Sequence, residues 1–336
     1  MEVTGHAVVP VVDRSQVAAA RQAAQVAAEG AGFTETDAHR VGIVATELAS
    51  NIVKHAGHGG QLLLHARRGP APEVEIVALD RGPGMSDVLR SMSDGYSTAG
   101  SPGTGLGAVR RLADLFDIYS KPGKGTAVLA RLRPAGADPS RGSSFEIAGL
   151  SVPMPGEEVC GDAWGVVVDR GRALIGVMDG LGHGVLASAA ATAGIDALRK
   201  RAAGSSVETL TAIHEAVRHT RGAAGTVVSI EPRGTVVTVA GVGNVAAAIV
   251  GNGHVRHAVS LGGILGHEVR QFRQYQYPWP DDALLVMHSD GLTSHWSLDQ
   301  YSGLRQRHPA LVAAVLYRDF QRGRDDVTVV VGKAAA

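Results

Sequence analysis

The chain has 336 residues, enough for two domains with sizeable cores. Its 32 Lys and Arg residues balance its 32 Asp and Glu residues, and aromatic residues make up only 4% of the chain. Because nucleic-acid surfaces need excess positive charge and base stacking needs aromatic side chains, we expect no nucleic-acid partner.

Cysteine usage and hydropathy indicate the compartment. Cys160 is the only cysteine, which excludes an internal disulfide and suits a reducing cytoplasm. The first residues lack a basic-then-apolar leader, and no apolar run reaches the ~18 residues that a membrane span requires. We therefore expect a cytoplasmic protein without a membrane partner.

Residues 1–133 have the periodicity of a mixed α/β layer. A polar stretch with two prolines and two glycines follows over 134–144 and is typical of a linker. The predicted elements of the first domain, in chain order, are helices over 14–29 and 36–54, strands over 61–66 and 73–79, a helix over 106–115, and strands over 116–120 and 126–132.

Residues 145–336 contain short β-rich runs with paired helices inserted, a pattern that predicts two packed sheets flanked by helices. The fold class is therefore α/β in two domains. The predicted elements of the second domain are strands over 164–169, 173–178, 225–230, 235–240, 246–250, 283–288 and 327–331, and helices over 185–201, 207–219 and 309–320.

Four predicted strand ends of the second domain carry carboxylates. They are Asp162, Asp179, Asp290 and Asp325. A single Asp-Gly pair is ordinary turn chemistry, but four such ends can be gathered at one edge of a folded sheet. Carboxylates held so close repel one another unless cations lie between them. Oxygen ligands without a His or Cys set favour Mg²⁺ or Mn²⁺ over zinc.

The pattern GD…MDGLGHG…SDG…RDDVTVVV over 145–332 resembles the PPM superfamily of metal-dependent serine/threonine phosphatases, specifically its bacterial SpoIIE-like branch with an αββα sandwich. The run that ends at Asn244 is similar to short members of that branch typified by RsbX. The resemblance implies that Asp179 bridges two metal ions and the Gly180 carbonyl ligates one. It also implies that Asp290 and Asp325 complete the other ion's ligands, while Asp162 holds metal-bound water.

Two further residues depart from that family's pattern. Eukaryotic relatives place a histidine directly after the Asp-Gly pair, whereas His183 lies three residues past Gly180. We therefore expect His183 to support the ligands or the helix start rather than to donate a proton. Asp326 stands where many relatives have asparagine and is not assigned as a ligand.

The first domain has its own set of candidate site residues. Glu47, Asn51 and His55 are spaced four residues apart, one above another on a helix. A strand ends in the run Asp80-Arg-Gly-Pro-Gly84, and a run with glycines at 103, 105 and 107 opens a helix whose free amides could hold phosphate oxygens. A Rossmann site is excluded, because the loop 97–102 rather than a strand precedes these glycines.

Together these boxes resemble the GHKL ATPase fold shared by gyrase, MutL and histidine kinases, over about 10–133. The resemblance implies that Glu47 is the general base, Asn51 binds Mg²⁺, Asp80 hydrogen-bonds the adenine amino group of ATP, and Thr126 lies beneath the adenine. The glycines that would shape the pocket are Gly82, Gly84, Gly103, Gly105 and Gly107.

The loop 94–100 and the segment 110–116 are most similar to switch kinases of the RsbT type, which phosphorylate serine on STAS-domain proteins. We therefore expect a bifunctional partner-switching regulator that phosphorylates STAS-domain proteins with ATP and dephosphorylates them with Mn²⁺ or Mg²⁺. Two alternatives stay open. In one, the first domain is an anti-sigma kinase that binds a sigma factor as well as a STAS antagonist. In the other, it is a docking module that binds ATP and transfers nothing.

Overall fold

The computed structural model describes residues 2–3, 5–92, 105–136, 144–201, 203–232, 234–251 and 253–335. Within these ranges no helix is both long enough and apolar enough to cross a membrane. The elements up to residue 132 are β1 (Glu2–Val3), β2 (Ala7–Val11), α1 (Ser15–Gly30), α2 (Glu35–His55), β3 (Gly60–Arg67), β4 (Glu73–Asp80), α3 (Val88–Ser91), α4 (Gly105–Leu112), β5 (Leu115–Ser120) and β6 (Thr126–Leu132).

The second half is richer in strands, as its short valine- and alanine-rich runs predict. Its elements are β7 (Phe145–Val152), β8 (Asp162–Asp169), β9 (Arg172–Gly180), α5 (Val185–Lys200), α6 (Ser206–Ala216), β10 (Ala223–Ile230), β11 (Val236–Val242), β12 (Ala246–Gly251), β13 (His254–His257), β14 (Tyr275–Pro278), β15 (Leu284–His288), a 3₁₀ turn (Leu304–Gln306), α7 (Pro309–Phe320) and β16 (Val327–Ala334).

The chain divides into two compact units. The N-terminal unit contains His6–Arg141 and Leu298–Val315, and the C-terminal unit contains Met1–Gly5, Gly142–Ser297 and Leu316–Ala336. The sequence places residues 1–5 in the first domain and 298–315 in the second. Residues 1–5 join the C-terminal unit because β1 pairs with β8.

Segment 298–315 joins the N-terminal unit through polar contacts with β5 and the turn that follows it. The Asp117 carboxylate accepts a hydrogen bond from the His308 amide (2.8 Å) and contacts the Arg307 guanidinium (3.2 Å). Lys124 Nζ donates to the Gln300 side chain at 2.8 Å. These contacts link residues nearly two hundred positions apart, which local sequence patterns do not report.

The N-terminal unit is a five-stranded antiparallel sheet in the order β2-β3-β4-β6-β5. Apolar side chains of α1 and α2, together with Val109 of α4, form one core with the sheet. Helix α2 begins where the Thr34 side chain accepts a hydrogen bond from the Asp37 amide at 3.2 Å, and it has Glu35 and Asp37 in its first turn and Lys54 in its last. This cap and these charges complement the helix dipole. The buried apolar residues of α2, among them Val41, Leu48 and Ile52, form the face that packs on the sheet.

The C-terminal unit contains two antiparallel sheets, in the orders β1-β8-β9-β10-β11-β14 and β13-β12-β15-β16-β7. Inward-facing side chains of both sheets, including Trp164, Ile175 and Met287, form one core between them. A second core lies between the six-stranded sheet and helices α5 and α6, with Ile195 and Leu210 among its members. The expected two-domain α/β class, with two packed sheets and flanking helices, is confirmed.

Some element bounds differ from the sequence prediction. The helix expected to end at residue 115 ends at Leu112, and strand β5 begins at Leu115. Strands β1, β2, β7, β13 and β14 and the short helix α3 were not predicted. In β13 all four residues are exposed, so its sequence has no hydrophobic signal, and its place depends on pairing with β12.

Candidate active sites

The predicted carboxylates of the C-terminal unit lie at strand ends, as expected. Asp162 is the first residue of β8 and is directly opposite Asp179, the next-to-last residue of β9. Asp290 follows β15 by two residues, and Asp325 precedes β16 by two. Because β15 and β16 are paired antiparallel neighbours, with the Ser289 amide donating to the Thr328 carbonyl at 3.1 Å, these last two carboxylates lie at one edge.

Electrostatics shows that the two sheets bring these groups near one another. Burial first, and then the neighbouring charges of Asp290, Asp325 and Asp326, raise the pKa of Asp179 to about 7. Burial and, to a smaller degree, Asp290 raise the pKa of Asp325. Carboxylates from β9, the β15 end and the β16 start therefore repel one another across the gap between the sheets.

Asp162 is the most enclosed of the set, with 3% of its surface exposed. Burial first, and then the charge of Asp179, raises its pKa well above the ordinary value, although hydrogen bonds from Ser289 and Thr328 act in the opposite direction. Its Oδ2 atom is buried without a hydrogen-bond partner in the described ranges. A buried acceptor of this kind is costly unless a cation or another donor faces it.

The donor set suits a hard divalent cation. It consists of carboxylate oxygens and the Gly180 carbonyl, which are ligands that Mg²⁺ and Mn²⁺ prefer. A β-carbon on Gly180 would lie 2.0 Å from the Ala187 carbonyl oxygen, so only glycine fits here. Within the described ranges, however, no three or more His, Cys, Asp or Glu side chains already form a closed ligand set. The carboxylates are neighbours at one edge, and their assignment as metal ligands stays a prediction.

Two polar residues outside the predicted set contact this edge. Both oxygens of Asp326 accept backbone hydrogen bonds, from Met154 at 2.8 Å and Gly161 at 2.9 Å, so its carboxylate anchors the loop that leads into Asp162. Asn244 Nδ2 donates to Asp290 Oδ2 at 2.7 Å and orients that carboxylate. In the sequence, the signals that correspond to these two roles are the second acid of the pair at 325–326 and the Gly-Asn turn at 243–244.

His183 lies in the loop between β9 and α5. Its Nδ1 atom is 2.7 Å from Glu157 Oε1, and more than half of its side chain is exposed. The imidazole is thus oriented by a carboxylate of the loop before β8, and Gly184 leaves room for that carboxylate.

The predicted nucleotide residues of the N-terminal unit meet at the helix ends above its sheet. Glu47 and Asn51 share one face of α2, and Gly105, the first residue of α4, approaches both: a β-carbon there would lie 3.1 Å from Asn51 Oδ1 and 3.4 Å from Glu47 Oε2. Asn51 Nδ2 is buried without a hydrogen-bond partner among the residues that the structure describes. A buried side-chain amide without a hydrogen-bond partner is expected where that side chain contacts a ligand.

A second group of predicted residues lies where β4, β5 and β6 end or begin. Asp80 Oδ1 accepts hydrogen bonds from the Gly82 amide (2.8 Å) and the Thr126 amide (3.2 Å), and Thr126 Oγ1 is 2.9 Å from Ser120 Oγ. Gly84 has φ +71°, and a β-carbon there would lie 2.1 Å from the Lys121 carbonyl oxygen. This loop therefore requires glycine both for its backbone angle and for its close contact.

The structure describes some of the remaining predicted pocket residues and leaves others outside its described ranges. Gly107 is buried within α4. Gly103 and the loop 94–102 lie outside the described residues. His55, at the end of α2, is near Asp80: burial and Lys54 lower the pKa of His55, and Asp80 counteracts them.

Comparison with known proteins covers both units. Residues 11–132 match the family model described as histidine kinase-like ATPase domain, and residues 169–334 match that of stage II sporulation protein E (SpoIIE). Serine/threonine-protein kinase RsbT of Bacillus subtilis (strain 168) is 38% identical over 118 residues, which cover 34% of this chain and 86% of RsbT. Phosphoserine phosphatase RsbX of the same organism is 24% identical over 138 residues, which cover 41% of this chain and 69% of RsbX.

A solved structure described as "The bacterial stressosome: a modular system that has been adapted to control secondary messenger signaling" is also similar. It aligns with a TM-score of 0.53 at 27% identity, over 56% of this chain and 99% of that chain. One chain thus combines a region similar to a kinase with a region similar to a phosphatase.

Proposed function

We propose that this chain, which belongs to the histidine kinase-like ATPase family through residues 11–132 and matches the SpoIIE family over 169–334, both adds and removes phosphate on serine or threonine of partner proteins. One observation carries the proposal: the same chain contains a region 38% identical to RsbT and, in its C-terminal unit, a group of carboxylates at strand ends around Asp179. Such a combination fits partner-switching regulation, in which phosphorylation decides which complex forms.

In the N-terminal unit the proposed reaction is transfer of the ATP γ-phosphoryl group to a serine hydroxyl. Asp80, at the end of β4, would hydrogen-bond the adenine, with Thr126 beneath it. Asn51 would hold Mg²⁺, which supplies charge neutralisation at the phosphates when bound. Glu47 lies beside Asn51 on α2 and would accept the proton of the attacking hydroxyl. The glycines of the Gly82–Gly84 turn and of α4 would let the backbone approach the nucleotide.

In the C-terminal unit the proposed reaction is hydrolysis of a phosphoserine or phosphothreonine ester. Bound Mn²⁺ or Mg²⁺ would supply Lewis acidity that activates water and neutralises the phosphoryl charge. Asp179, the Gly180 carbonyl, Asp290 and Asp325 would hold these ions. Asp162 would orient the attacking water, for which its unpartnered Oδ2 atom is available.

The proposed substrates are STAS-domain proteins of a stressosome or of an anti-sigma pathway. Support comes from the similarity to RsbT and RsbX and to a structure of the stressosome. A sigma factor as a direct partner, and a docking role without transfer for the N-terminal unit, are the competing outcomes of the tests.

The decisive experiment uses the full chain with STAS-domain proteins from its own genome. In one arm, labelled ATP and Mg²⁺ are supplied, and we expect labelled STAS protein. In the other arm, phosphorylated STAS protein and Mn²⁺ are supplied, and we expect phosphate release that EDTA abolishes.

Each arm can contradict its half of the proposal. Nucleotide binding without any transfer would reduce the N-terminal unit to a docking module. Capture of a sigma factor without a STAS requirement would favour the anti-sigma alternative. Phosphate release that survives EDTA would overturn the metal-dependent mechanism.

A further inference from the structure

The loop 181–184, directly after the candidate metal-binding pair Asp179 and Gly180, is held against the start of β10. Gly180 is opposite Ala223 in the β9–β10 register, and the Leu181 amide donates to the Gly222 carbonyl at 3.0 Å. The residues just before β10 therefore flank the carboxylate edge at a fixed position.

Arg221 is the charged residue at that position. Its guanidinium Nη1 lies 3.2 Å from the point that a β-carbon on Gly182 would occupy, so the guanidinium fills the space that this glycine leaves beside the loop. Its backbone is fixed, because His267 Nε2 donates to the Arg221 carbonyl at 3.0 Å. The residue as a whole is exposed.

The Arg221 side chain has no carboxylate partner in the described part of the chain. Two other arginines of the C-terminal unit differ in this respect. Arg218, three residues earlier, pairs with Glu215 at 3.0 Å, and Arg318 pairs with Asp319 at 2.7 Å. Arg322 lies near Asp325, whose pKa its charge lowers, although burial raises that pKa more strongly. Among the described residues, Arg221 thus places a cation without a carboxylate partner beside the loop that follows Asp179 and Gly180.

From this geometry we infer that Arg221 binds the phosphoryl group of the phosphatase substrate. A phosphate monoester carries nearly two negative charges, and a guanidinium offers parallel N–H donors that match two phosphate oxygens. The proposed metal ions would neutralise part of that charge, and the guanidinium would add a further positive charge where the ester enters. The inference rests on the phosphatase function proposed above and adds a substrate-binding residue to it.

The test compares Arg221→Ala, Arg221→Lys and the matched control Arg218→Ala in the full chain with Mn²⁺. The probes are p-nitrophenyl phosphate as substrate and inorganic phosphate as inhibitor. We expect Arg221→Ala to raise both KM and the phosphate inhibition constant about tenfold, or ~1.4 kcal/mol, with a smaller change in kcat. Arg221→Lys should recover part of the loss, because it restores charge but not the paired donors. Arg218→Ala should behave as the wild type.

A second readout does not depend on turnover. Calorimetric titration of inorganic phosphate into the Mn²⁺-loaded protein should show the same tenfold weakening in Arg221→Ala, while Mn²⁺ affinity and the thermal unfolding midpoint stay unchanged. Equal phosphate affinity in the wild type and Arg221→Ala would overturn the inference. The inference would also be overturned if Arg322→Ala, rather than Arg221→Ala, weakened phosphate binding.

The two failures are distinguishable. If the wild type releases no phosphate with Mn²⁺, the proposed phosphatase function fails, and the titration still decides whether Arg221 binds phosphate. If the wild type is active and Arg221→Ala matches it in both readouts, only the role of Arg221 is wrong.

Discussion

The two units place buried carboxylates in opposite electrostatic settings. In the N-terminal unit, Glu75 of β4 is opposite Arg131 of β6, whose Nε donates to its carboxylate at 2.5 Å. Burial acts to raise the pKa of Glu75, but Arg131 and His6 outweigh burial and hold the pKa well below its usual range. In the C-terminal unit, Asp162 is opposite Asp179, another acid, and the pKa of each is raised.

This difference separates a structural ion pair from a candidate binding site. A buried acid that faces its own guanidinium has its charge compensated within the fold and needs no further partner. Buried acids that face one another destabilise the fold when ionised and are relieved by a bound cation. Cations of the fold therefore compensate the charge of Glu75, whereas Asp162 and Asp179 are surrounded mainly by other acids.

The largest expected effect comes from removing one charge at the acidic edge. We expect Asp179→Asn to reduce Mn²⁺-dependent phosphate release to the background rate, because the proposed bridging ligand is lost. Asp169→Asn, at the exposed far end of β8, is the matched control and should keep wild-type activity. Normal activity in Asp179→Asn would remove this residue from the site.

The next effect tests the N-terminal site. Glu47→Ala should lower transfer of label from ATP to a STAS protein by a factor on the order of 100 to 10,000, as expected for a general base. Nucleotide binding, measured by fluorescence of an ATP analogue, should stay within a few-fold of the wild type. Glu29→Ala, at the exposed end of α1, serves as the control. Undiminished labelling by Glu47→Ala would mean that another group accepts the proton.

The third prediction breaks the structural ion pair. Glu75→Gln leaves the half-buried Arg131 with only the more distant Glu73 carboxylate, at 3.9 Å, and should lower the free energy of unfolding of the N-terminal unit by up to about 3 kcal/mol. Urea unfolding followed by hydrogen exchange of the β4 and β6 amides measures this loss.

The pH dependence of the same pair has a definite sign. Because the folded pKa of Glu75 lies below its usual value of 4.5, the charged form contributes stability above pH 4.5, and that stability is lost as the pH falls below it. Glu75→Gln should remove this part of the acid sensitivity. Identical acid unfolding curves for the variant and the wild type would contradict the account.

The smallest expected effect separates backbone strain from steric clash. Gly84 and Gly123 have similar positive φ angles of 71° and 72°, but a β-carbon at Gly123 meets nothing within 4 Å. Gly123→Ala should cost about 1 kcal/mol from strain alone. Gly84→Ala should cost about 1–3 kcal/mol more and weaken nucleotide binding, since the Lys121 carbonyl must move. Equal losses in the two variants would show that the close contact is unimportant.

Much of both candidate sites was predictable because its signals are local. The four-residue spacing of Glu47 and Asn51 places them on one helix face wherever that helix packs. Asp-Gly pairs after apolar runs predict strand ends, and the structure has Asp179 and Asp290 at such ends. The two-domain α/β class followed from the same periodicities.

Only the tertiary structure determines which side chains and which strands face one another. The register of β8 and β9 sets Asp162 against Asp179, backbone amides of Met154 and Gly161 occupy Asp326, and Asn244 reaches Asp290. Segment 298–315 joins the N-terminal unit through Asp117. Each of these contacts joins residues that are distant in sequence. A local sequence pattern predicts where a strand ends, but it does not determine which strand pairs with it or in which register.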